Sequence, residues 1–167
     1  RNALKDGLLL GQRDGLNPFT MGFIGSTDTH SATPGGAEED NYAGHLGRRD
    51  AGFRNVQDHL FSNPGGHAVV WAEENSRDAI FAALRRRETY ATSGTRPVVR
   101  FFGGNALEEG LCQAPDMIEQ AYSRGVAMGG EIAGAATGGA LRFLVSVQKD
   151  PGVAGRPGTD IQRVQVI

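Results

Sequence analysis

The chain has 167 residues and a formal net charge of −2. That length sustains one domain with a real core, and the near-neutral balance offers no basic footprint for nucleic acid or an anionic membrane. No apolar run reaches the roughly 18 residues of a membrane span, no signal-like segment opens the chain, and the single Cys112 excludes an internal disulfide.

Residues 2–13 predict a helix with Leu4, Leu8 and Leu9 toward one face, ended by Gly15 and Pro18. The apolar run 21–24 (Met-Gly-Phe-Ile) predicts a buried strand. Helix, loop and strand in that order suggest an α/β fold, and continuous apolar runs suit parallel strands covered on both faces. Residues 31–52 read as a long loop, functional or disordered, with Glu38, Glu39 and Asp40 as a solvated acidic stretch. One or two helical turns are expected within 53–61.

Residues 68–72 (Ala-Val-Val-Trp-Ala) predict a second buried strand. Ser76 then caps a helix with Asp78 in its first turn and Ala79, Ile80, Ala83 and Leu84 as its buried stripe. Arg85, Arg86 and Arg87 close it, as a solvated helix end or, alternatively, an anion site. Residues 89–92 and 98–102 read as strands around a turn at 93–97. The texture changes near Gly103: mixed α/β over 1–103, a β-rich extension over 104–167. Within the extension, 116–122 predicts a short helix. Residues 141–148 predict a strand burying Leu141, Phe143, Val145 and Val147, and 161–167 a last strand. Helical spacing at the first residues and alternation at the last make the chain read as a piece of a longer polypeptide.

Asp28 and His30 follow the run 21–24 two residues apart. On a strand such residues point the same way, and a carboxylate beside an imidazole is half of a transition-metal site. The structural alternative has Asp28 capping the loop and His30 as a satisfied core imidazole. A Ser26/Asp28/His30 triad is geometrically poor, because triad members contact in series rather than side by side. His45 is a candidate ligand or general acid–base, or a loop residue. His59 and His67 have weaker claims; His67 lines a pocket or merely a turn. Glu73 and Glu74 either support a site or serve the first turn of the helix. Ser93-Gly-Thr-Arg96 is an anion cradle with Arg96 as its fork, or a tight turn whose Arg pairs with a neighbouring acid.

The string Gly25-Ser-Thr-Asp-Thr-His30 resembles the last metal motif of the PHP (polymerase and histidinol phosphatase) superfamily. Together with Trp71-Ala-Glu-Glu-Asn75 and Arg87-Glu-Thr-Tyr-Ala-Thr-Ser-Gly-Thr-Arg96, it is similar to a bacterial family within it, domain-of-unknown-function family 3604, over the whole chain. The resemblance implies the C-terminal portion of a distorted PHP-type β/α barrel followed by the β-rich extension. It further implies a hydrolase acting on a small-molecule ester, in the superfamily's usual case a phosphoester. In the intact protein two or three divalent ions (Zn, Mn or Fe) would activate water. Asp28 and His30 match the motif as metal ligands. His45 and Arg96 remain catalytic candidates, and His45 has no superfamily motif behind it. The superfamily's His-x-His pair is absent from this chain, so the remainder of the polypeptide upstream of Arg1 would supply those ligands. The rivals are a non-catalytic structural or interaction fragment and a metal-dependent amide or carboxylic-ester hydrolase.

Overall fold

The computed structural model describes residues 2–27, 65–132 and 140–167. Helix α1 (Asn2–Asp14) comes first, followed by β1 (His67–Val70), α2 (Arg77–Arg86), β2 (Thr89–Thr92) and β3 (Val98–Gly104). A single 3-10 turn at Leu111–Gln113 leads to α3 (Met117–Arg124), β4 (Val126–Ala127), β5 (Arg142–Gln148) and the small hairpin β6 (Gly152–Val153) and β7 (Arg156–Pro157). The sheets are β1-β2, β4-β3-β5 and β6-β7, and every described ladder is antiparallel. The fold is mixed α/β, built on small antiparallel sheets, with no closed barrel among the described residues.

The expected parallel pairing of buried strands is therefore corrected. Val70 pairs with Thr89, so the excursion through α2 leaves and returns at one end of the β1-β2 pair. Trp71 closes it by donating its N–H to the Glu88 carbonyl at 3.0 Å. A parallel connection must instead carry the chain back along the whole strand.

Local signals placed the helices well. Gly15, at φ +74°, ends α1 and donates to the Gly11 carbonyl at 3.0 Å. Ser76 Oγ accepts from Ala79 N at 3.2 Å and caps α2. Arg87 takes the left-handed conformation at its other end, φ 60°. Leu4, Leu8 and Leu9 of α1 are exposed, however, and only Gly7 of that helix is buried.

The core lies elsewhere, where Phe102, Leu107, Leu111, Ala121 and Leu144 join β3, β5, α3 and the 3-10 turn. Two strand readings are overturned here. On β5 the buried residue is Leu144, 8% exposed, and Phe143 is 51% exposed. Alternation points to the face of Phe143, Val145 and Val147, but the core elements cover Leu144 on the face it shares with Arg142, Ser146 and Gln148. Phe143 instead stacks on Phe101 on the outer face, centroids 5.5 Å apart. Residues 161–167 form no strand and are exposed.

The run 21–24 is likewise no strand. Phe23 is 55% and Ile24 60% exposed. Nothing among the described residues covers it from outside, and continuous apolarity alone cannot report that. The chosen boundary at 103 falls inside β3, which pairs with both β4 and β5.

Candidate functional site

Asp28, His30 and His45 lie outside the described residues, as do His59, the loop 31–52 and the turns expected within 53–61. The structure describes the approach to them. Residues 20–27 lie against the β1-β2 pair and are held at three levels. Arg87 donates from Nη1 to the Thr20 carbonyl at 3.3 Å. Thr89 Oγ1 donates to the Phe23 carbonyl at 2.8 Å. At Gly25 the backbone presses so close that a Cβ would fall 2.6 Å from the His67 carbonyl and 3.1 Å from that of Thr92. Gly66 is crowded in the same way by the Ser26 carbonyl. Glycine is required at both contacts because the two backbones meet without room for a side chain.

Thr89 and Ala91 share one face of β2, and Ala68 joins them across the ladder. The run lies on that face. Tyr90, Thr92 and His67 belong to the other face. There the Tyr90 hydroxyl donates to the Pro97 carbonyl at 2.8 Å and accepts from Val99 N at 3.2 Å, which fixes the turn carrying Arg96. The backbone N–H of Arg96 donates to Asp150 Oδ2 at 2.7 Å, and its Nε lies 4.0 Å from the same oxygen. The N–H groups of Gly152 and Arg96, with smaller help from the charges of Arg96 and His67, hold the Asp150 carboxyl below the usual range. His67 Nδ1 sits 3.4 Å from Thr92 Oγ1. Arg96 thus meets Asp150 on the opposite face from the run that leads to Asp28. Beside Asp150 lies a cavity of about 280 Å³ between Thr95, Pro97 and the segment 159–163, flanked by the Lys149–Asp160 ion pair at 2.7 Å.

A second polar group went unseen in the sequence. Glu88 is nearly fully buried. Its Oε1 accepts from the Tyr122 hydroxyl at 2.5 Å, and its Oε2 receives Arg86 at 3.3 Å. Arg100 donates to the Tyr122 oxygen at 2.8 Å and lies 3.5 Å above the Trp71 ring. Trp71 Nε1 donates to the Val99 carbonyl at 3.0 Å. Burial first, and then the hydrogen bond and charge of Glu88, push the Tyr122 phenol up. Arg87 also donates to the Gly129 carbonyl at 2.8 Å and pairs with Glu131 at 3.5 Å. The arginine run is therefore more than a solvated helix end. Arg86 and Arg87 stitch α2 to its neighbours. Only pairing distances beyond local sequence would have exposed the group: Glu88 and Tyr122 are 34 residues apart.

The strings that suggested a family, Trp71 onward and Arg87 to Arg96, are thus the ones that build this scaffold. The family model described as a protein of unknown function (DUF3604) matches residues 1–167. The chain belongs to the DUF3604 family. No curated protein and no solved structure matches it.

In this DUF3604 chain, no group of three or more His, Cys, Asp or Glu side chains suited to a metal ion occurs among the described residues. Glu73 and Glu74 are exposed on the bend before Ser76. No helix among the described residues is long and apolar enough to cross a membrane. The described part pins the backbone of residues 20–27, which ends one residue before the Asp28-Thr-His30 string.

Proposed function

We propose that the chain is part of a PHP-type metal-dependent hydrolase, phosphoesterase-like, acting on a small-molecule ester. The observation that carries the reading is the pinned approach of residues 20–27. The last of its three backbone anchors, at Gly25, lies three residues before Asp28, the first of a carboxylate and an imidazole spaced as ligands. The donor set fits divalent Zn, Mn or Fe: an anionic oxygen and a neutral nitrogen are ordinary partners of such ions. Asp28 and His30 would hold the metal, and further ligands would come from the remainder of the polypeptide, since sites normally use three or four protein groups. When bound, such an ion supplies water acidified toward a pKa of about 7 and a clamp for developing negative charge.

The chain's own residues take the remaining roles. His45 is the candidate to move a proton at the leaving oxygen. Arg96 is the candidate anion fork, and it meets an anion only by turning its guanidinium from Asp150. The barrel completing this arrangement belongs to the same proposal.

The test is elemental analysis of the full-length protein, with hydrolysis of a generic phosphoester in added manganese or zinc. Bound metal, and loss of both metal and turnover in Asp28→Ala and His30→Ala, are expected. A metal-free protein whose variants behave as wild type would sink the reading. Amide and carboxylic-ester substrates run in parallel identify the bond cleaved. A non-catalytic, structural reading draws on one observation: the described residues of the other two family strings are engaged in holding the scaffold together. It predicts no turnover on any substrate of the panel.

A further inference from the structure

We draw no further inference here: the strongest candidate, the apolar outer face of the β4-β3-β5 sheet around the stacked Phe101 and Phe143, carries none because nothing in the structure shows what covers it.

Discussion

Replacing Gly25 with alanine perturbs the approach to Asp28 without touching a candidate ligand. The new Cβ would stand 2.6 Å from the His67 carbonyl, whereas ordinary contact begins at 3.4 Å. The run must then retreat by about 0.8 Å, the difference of those two distances, because the obstacle is backbone in a paired strand. Overpacking of this kind costs about 1–3 kcal/mol, which for a chain of this size lowers Tm by roughly 2–12 °C. A misplacement near 1 Å costs on the order of 100-fold where geometry governs the chemistry, so under the proposed metal reading metal-dependent turnover should fall along with stability. Gly155→Ala is the control. Gly155 has φ +79° with nothing near its would-be Cβ, so that variant loses about 1 kcal/mol through backbone strain and leaves metal binding unchanged. Thermal melting, Mn²⁺ calorimetry and the phosphoester assay read these effects. A Gly25→Ala protein with wild-type Tm and Mn²⁺ affinity would refute the close-approach argument, since the backbone would then have room that the geometry denies.

Phe102 is 1% exposed at the centre of the only core cluster among the described residues. Phe102→Ala should lose about 3–5 kcal/mol in urea unfolding, and a loss below 1 kcal/mol would place the core elsewhere. Glu88→Gln keeps the shape but removes the charge facing Tyr122. Spectrophotometric titration should find the Tyr122 phenol shifted down from its wild-type position, yet still raised by burial; no movement would deny the contact. The Asp150 carboxyl is held low by two N–H groups, so folding favours its charged form. Its contribution is complete above the ordinary carboxylate range near 4 and is lost as pH falls through the lower folded value. Asp150→Asn should therefore trail wild type most at neutral pH and converge with it as pH falls below the ordinary carboxylate range. A gap that widens with acid would reverse the sign and reject the assignment.

Much of the local structure was legible before any coordinates. Ser76, Asp78 and the basic end marked α2, Gly15 and Pro18 marked the end of α1, and alternation marked β5 as a strand. Each signal lies within a few residues of what it controls. The errors share a different cause. Met21 to Ile24 read as a buried strand because apolar runs usually seek cover, and cover is supplied by distant chain. Leu144 rather than Phe143 entered the core because the distant α3 and 3-10 turn cover the face that Leu144 shares with Arg142, Ser146 and Gln148. Arg96 reads from the sequence either as an anion fork or as a turn residue paired with a neighbouring acid, and the acid its backbone N–H reaches, Asp150, is 54 positions away. The Trp71, Glu88, Arg100 and Tyr122 group had no local pattern at all.

By itself the sequence determined the helices, most strand positions, the Asp28-Thr-His30 string and the family strings that carry the resemblance. Those follow from caps, breakers and periods, which act over one or two turns of chain. Only the tertiary structure decided that β1 and β2 run antiparallel, that Thr89 grips Phe23, and that Gly25 presses on the His67 carbonyl and Gly66 on that of Ser26. It also put Arg96 and the run to Asp28 on opposite faces of one strand pair. These depend on which backbones touch, and contact between residues 66 apart leaves no periodic trace in the chain that makes it.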